Sequence, residues 1–133
     1  MIPLAAIDHV QITVALEHVD ATLAFYENAI GLERIAKSND RPGGWFQLGD
    51  HQLHVGVEGA ENASREANLE SKRHVCFRVT DLAAAERALR DAGVAILPDA
   101  DPAPNWKRFY VRDPGGNRVE IAEPVGPGAS GTA

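Results

Sequence analysis

One cysteine, Cys76, stands among 133 residues, so no intrachain disulfide can staple the fold. Stability then has to come from a buried core, and the expected compartment is the reducing cytoplasm. Basic charge is also scarce: 13 Lys and Arg face 19 Asp and Glu, for a formal net charge of −6. Gripping nucleic acid requires a cationic face that displaces counterions from phosphate, so nucleic acid is not an expected partner. No apolar run approaches the roughly 18–20 residues that cross a bilayer, so no membrane partner is expected. The opening Met1-Ile2-Pro3-Leu4-Ala5-Ala6-Ile7-Asp8 lacks the basic stretch and long apolar run of a secretory leader.

What is present is a self-repeat. Residues 7–14 alternate polar and apolar, as a half-buried strand does. Asp20 is expected to cap a helix running to Ile30 and stopped by Gly31. Strands are expected over Leu32–Ala36, Trp45–Leu48 and His51–Val57, the last two joined at Gly49-Asp50. After a polar stretch the order returns. A strand over Arg73–Thr80 leads into a helix opened by Asp81 and ended by Gly93, then strands over Val94–Leu97, Arg108–Arg112 and Asn117–Glu123. The fold class is therefore α+β, built from two tandem βαβββ modules at 6–57 and 73–124. A linker at 58–72 joins them and a tail at 125–133 follows. The repeat spacing equates His9 with His74, Gly31 with Gly93, Phe46 with Phe109 and His54 with Glu120.

Strand alternation then sorts the side chains. Val10, Ile12 and Val14 oppose His9, Gln11 and Thr13; Val75, Phe77 and Val79 oppose His74, Cys76 and Arg78. The apolar faces pack under the helices, and the polar faces carry His9, His54, His74 and Glu120. An antiparallel sheet often leaves one polar face in water, so a lone histidine there carries no message. Four ligand-type residues at repeat-equivalent places carry more. If the first and last strands of each module are neighbours, they can converge. Three imidazoles and a carboxylate suit Zn, Fe, Mn, Co or Ni better than Ca or Mg. Gln11, Gln47, Arg78, Arg108, Tyr110 and Arg118 share these faces and are candidate pocket residues, with Arg108 or Arg78 able to clamp a substrate carboxylate. Cys76 is read as an unreactive wall residue, and Trp45 and Trp106 as packing residues or flanks for a flat ligand.

The ordered fragments Asp8-His9-Val10-Gln11, Phe25-Tyr26 before Gly31-Leu32, Leu53-His54-Val55-Gly56, Arg73-His74-Val75 and Phe109-Tyr110-Val111 are followed by Asp113-Pro114-Gly115-Gly116-Asn117-Arg118-Val119-Glu120. Together they resemble the vicinal oxygen chelate superfamily, the glyoxalase, bleomycin-resistance and dioxygenase group. The resemblance implies a curved mixed sheet around a pocket with a divalent metal held by His9, His54, His74 and Glu120. His54 stands where glyoxalase-like members use a carboxylate. It also implies a small-molecule substrate, a homodimer, and a site built within one chain or across two. The expected chemistry is chelation of substrate oxygens with Lewis-acid stabilisation of an enolate or oxyanion, lyase or isomerase chemistry being favoured over dioxygenation. Glu120 is the expected catalytic group. A non-enzymatic small-molecule or antibiotic-binding protein is the alternative, and a module with a vestigial site is the third reading.

Overall fold

The computed structural model describes residues 1–59 and 71–125. Strand β1 (His9–Val14) leads through a short 3-10 turn into helix α1 (Val19–Ala24), which widens into a π-turn over Phe25–Ile30. Gly31, at φ 92°, ends it in a left-handed conformation that costs a residue with a Cβ, and the Tyr26 carbonyl accepts from the N–H of both Gly31 and Leu32. Asp20 is not the cap: the helix starts one residue earlier, and Asp20 lies in its first turn. Strands β2 (Glu33–Ile35), β3 (Gly44–Leu48) and β4 (His51–Val57) complete the first module.

The second module repeats this as β5 (His74–Arg78), α2 (Leu82–Asp91), β6 (Leu97–Pro98), β7 (Trp106–Arg112) and β8 (Arg118–Pro124). Asp81 does cap its helix, accepting from the Ala84 N–H at 3.0 Å. The expected strand over Val94–Leu97 shrinks to two residues, because only Leu97 and Pro98 pair with β7. Of the expected linker and tail, 60–70 and 126–133 lie outside the described residues.

Each module forms a four-stranded sheet, ordered β1-β4-β3-β2 and β5-β8-β7-β6. The first and last strands of each are parallel neighbours, as the convergence of their polar faces requires. The core gathers Val14, Leu23, Phe25, Tyr26, Phe46, Leu53, Val55, Phe109, Val111, Val119 and Ile121 on the apolar sides. Fully burying a side chain such as Phe46 contributes about 2–3 kcal/mol. Register corrects one equivalence. Trp45 faces His54, and Tyr110 faces Glu120, so Phe46 corresponds to Val111 and not to Phe109.

A buried polar clasp joins the modules. The Tyr26 hydroxyl donates to Asp113 Oδ2 at 2.8 Å, and Asn117 Nδ2 donates to the same oxygen at 2.9 Å. Asn117 N–H donates to Asp113 Oδ1, and Asn117 Nδ2 also reaches the Thr13 carbonyl of β1 at 3.1 Å. Beside it, a Cβ on Gly115 would stand 2.1 Å from a Val14 methyl, so glycine permits the close approach. Burial raises the Asp113 pKa more than these donors lower it. It also raises that of Tyr26, with the Asp113 charge adding, so the phenol stays a donor.

Asp113→Ala is expected to destabilise the protein by about 3 kcal/mol in urea unfolding, because it orphans two buried donors. A raised folded-state pKa means that the contribution of Asp113 is fullest below the ordinary carboxylate value and is lost as pH rises through the raised one. The stability gap between wild type and Asp113→Asn should therefore widen in favour of wild type as the pH is lowered through that window. A gap that does not move with pH counts against this account.

Candidate metal centre

On the polar face of the first module, His9, Gln52 and Gln47 form one row across β1, β4 and β3, and Gln11, His54 and Trp45 the next. The His54 ring stacks between two others. Trp45 lies 4.2 Å from it at 5°, and His9 4.1 Å at 15°. A relay of amides fixes its tautomer. Gln47 Nε2 donates to the Gly49 carbonyl, Gln52 Nε2 donates to Gln47 Oε1, and Gln52 Oε1 then faces His54 Nε2 at 2.9 Å. His54 thus carries its proton on Nε2 and a lone pair on Nδ1. Burial, then the neighbouring His9, lower its pKa against the opposing pull of Asp8, which keeps it in the neutral, ligating form. His9 Nδ1 is 2.8 Å from Asp8 Oδ2, the carboxylate contact that orients an imidazole and leaves Nε2 for a ligand. Gly56 leaves room for the Gln11 amide, which a Cβ there would meet at 2.7 Å.

The second module places Glu120 at the same register position as His54. Its carboxylate is buried, and its Oε2 accepts from Trp106 Nε1 at 3.0 Å and Cys76 Sγ at 3.1 Å. Its Oε1 faces His74 Nε2 at 3.3 Å and Arg108 Nη1 at 3.5 Å. Burial works to raise the Glu120 pKa. The donors Cys76, Trp106 and Tyr110 and the Arg108 charge outweigh it, so the carboxylate is held ionised below its ordinary range. Tyr110, also buried, has the Arg118 guanidinium 4.0 Å from its ring centre, and the His74 ring lies nearly perpendicular to it with the ring centres 6.2 Å apart. Arg108 is committed to Asp99, whose Oδ2 accepts from its Nε at 3.0 Å.

The structure gathers the four expected ligands as two pairs, His9 with His54 and His74 with Glu120. Among the described residues no group of three or more His, Cys, Asp or Glu side chains is placed to hold one ion. The donors fit a transition metal in kind: three imidazoles and an ionised carboxylate. His74 Nε2 and Glu120 Oε1 fit in geometry as well. Two donors about 2.1 Å from one ion, at right angles, lie about 3 Å apart. The stacked His9 and His54 rings do not aim at one point, because imidazole lone pairs lie in the ring plane. One ring has to turn for both to ligate.

Gln11, Gln47, Arg78, Arg108 and Tyr110 all fall on the two polar faces, with Arg78 opposite Ala122, one row beyond Glu120. Sequence reading took Trp106 as a packing residue or a flank for a flat ligand and missed that its indole N–H donates to Glu120, although its two-residue spacing from Arg108 put it on that face. Sequence reading did not single out Asp99, the partner of Arg108.

Burial, followed by the hydrogen bond to Glu120 and its charge, pushes the Cys76 thiol up to about 12. Native protein at neutral pH should react with a maleimide at least roughly a hundredfold more slowly than unfolded chain, and Glu120→Ala should speed the reaction. Equal native and unfolded rates would contradict the thiol–carboxylate contact.

The model of the Glyoxalase/Bleomycin resistance protein/Dioxygenase superfamily matches residues 6–121. A crystal structure assigned to the glyoxalase family, from Bacillus anthracis, is 32% identical. It covers 93% of this chain and 98% of its own, with a TM-score of 0.77. Lactoylglutathione lyase from Agrobacterium tumefaciens is 22% identical over 90% of this chain and 94% of its own, TM-score 0.66. TnmS3, an antibiotic binding protein from Streptomyces sp. CB03234, is 18% identical over 93% and 99%, TM-score 0.68. Curated proteins yield no match. With its family model spanning both modules, the chain belongs to the Glyoxalase/Bleomycin resistance protein/Dioxygenase superfamily.

Proposed function

We propose that the protein is a divalent-metal-dependent enzyme acting on a small, oxygen-rich molecule, with His9, His54, His74 and Glu120 as metal ligands. The observation that carries this is the His74–Glu120 pair, 3.3 Å apart on neighbouring strands and repeated at equivalent register by His9 and His54. When bound, the ion supplies Lewis acidity to two substrate oxygens, lowering the energy of an enolate or oxyanion. The chain's own residues do the rest. Trp106 and Cys76 pin Glu120 Oε2, which leaves Oε1 directed toward His74 and able to take a proton from substrate and return it. That capacity favours lyase or isomerase chemistry over dioxygenation.

The complete site is assembled in a homodimer. Each chain offers two half-sites of two ligands, and a two-fold axis brings the first half-site of one copy to the second of the other. β1 and β5 are the outer strands of their sheets, and each carries exposed residues, His9, Val10 and Gln11 on β1 and His74, Cys76 and Arg78 on β5. The site serves a molecule in solution, at home in the cytoplasm; among the described residues no helix is long and apolar enough to cross a membrane.

A second reading, a binding protein for a flat ligand, draws on the Trp45–His54–His9 stack, whose outer ring faces could extend onto an aromatic molecule. The similarity to an antibiotic binding protein agrees with it.

Elemental mass spectrometry on protein purified without chelator separates the two. Near-stoichiometric transition metal is expected, with little in His9→Ala or Glu120→Ala alone. Coexpressing the two variants should restore one intact site per mixed dimer, because one copy keeps His9 and the other Glu120. No metal in wild type after reconstitution with Zn, Mn, Fe, Co or Ni would sink the enzyme reading. Metal in wild type that is not regained by the mixed dimer would sink the shared site.

A further inference from the structure

Strand register sets the second module's polar face in rows. His74, Arg118 and Arg112 lie side by side on β5, β8 and β7, and Cys76, Glu120 and Tyr110 form the next row. Two residues along a strand span roughly 7 Å, so the arginine row sits one small-molecule length from the His74–Glu120 pair. Between these strands and the 97–101 segment lies a cavity of about 430 Å3, lined among others by Lys72, Arg108, Arg112, Arg118, Asp99 and Asp101. Four cationic side chains against two acidic ones make it locally positive, in a chain of net charge −6. One of those acids is spent on Arg108, since Asp99 accepts from its Nε; the backbone carbonyl of Asp101 accepts from its Nη2.

We propose that this cavity is an oxyanion subsite taking a carboxylate or phosphate group of the substrate, with Arg118 as the principal clamp and Arg112 and Lys72 beside it. The proposal rests on the metal-site reading above and narrows its substrate to an anion whose chelating oxygens lie a few bonds from its charged group. Arg118 is pre-positioned. Its guanidinium lies over the Tyr110 ring at 4.0 Å, and its Nη1 donates to the Ser71 carbonyl at 3.3 Å. A planar fork held by stacking loses little entropy on meeting an oxyanion and matches it with two parallel hydrogen bonds. Internal symmetry makes the case specific. The register equivalents of Arg118 and Arg112 in the first module are Gln52 and Gln47, which are neutral and occupied in orienting His54. The fold does not require charge at these places, and only one module carries it. The same register removes Arg78 from the clamp, because it lies on the far side of Glu120 from Arg118.

Calorimetric titration of the full chain at low ionic strength, as purified and again after chelation, with inorganic phosphate and separately with malonate, tests this. Saturable binding of one probe is expected, weakened about tenfold or more in Arg118→Gln and unchanged in Arg78→Gln, with metal content the same in both variants. The stronger probe names the substrate's group. No saturable binding of either probe, or equal losses in the two variants, would overturn the subsite. Anion binding that persists after chelation in a protein that takes up no metal would leave the subsite standing and sink the metalloenzyme reading. The reverse result would leave the metal and remove the subsite.

Discussion

The packing of one module on the other turns on a single buried carboxylate. Asp113 accepts from Tyr26 of the first module and from both donors of Asn117, and Asn117 in turn reaches the end of β1. Removing such a group from water is costly, and the raised pKa is the sign of that cost. Its position compensates. Asp113 and Asn117 bracket the β7–β8 hairpin, so the clasp that joins the modules also fixes where β8 begins. Three residues after Asn117 comes Glu120, whose direction depends on that start. The stability of the chain and the aim of its most chemically loaded side chain thus share one network.

The two modules use one backbone plan for different chemistry. The first presents two imidazoles, three carboxamides and an indole, ordered in large part by stacking and by an amide relay that ends on the Gly49 carbonyl. The second presents ions, with Glu120 ringed by donors and flanked by Arg108 and Arg118. Neither pair of proposed ligands is a complete metal site alone. Division of labour of this kind suits a centre where neutral donors hold an ion on one side and a carboxylate beside cationic groups handles substrate and proton on the other.

Much of this was legible from alternation. His9, His54, His74 and Glu120 fall on polar faces because side chains in a strand point to opposite sides, a local rule that long-range packing did not override. Asp81 was readable as a cap because its carboxylate accepts from an otherwise unpaired N–H of the first helical turn. Asp20 was not, because the backbone entered the helix two residues earlier than a cap at Asp20 requires, with His18 at the N-cap position. The equation of Phe46 with Phe109 failed by two residues: aromatic identity is a poor guide to register, which hydrogen-bond pairing across β3–β4 and β7–β8 decides. The clasp, the ring stack and the Trp106–Glu120 bond link residues up to 104, 45 and 14 positions apart, through contacts that only the folded chain brings about.

X-ray absorption spectroscopy of the metal-reconstituted protein tests the central claim most directly, since it reads the donor atoms around the ion. The account predicts a shell of nitrogen and oxygen with the multiple-scattering signature of imidazoles and no sulfur, because Cys76 stays protonated against Glu120. A sulfur scatterer in that shell, or an ion surrounded by oxygen alone, would contradict it.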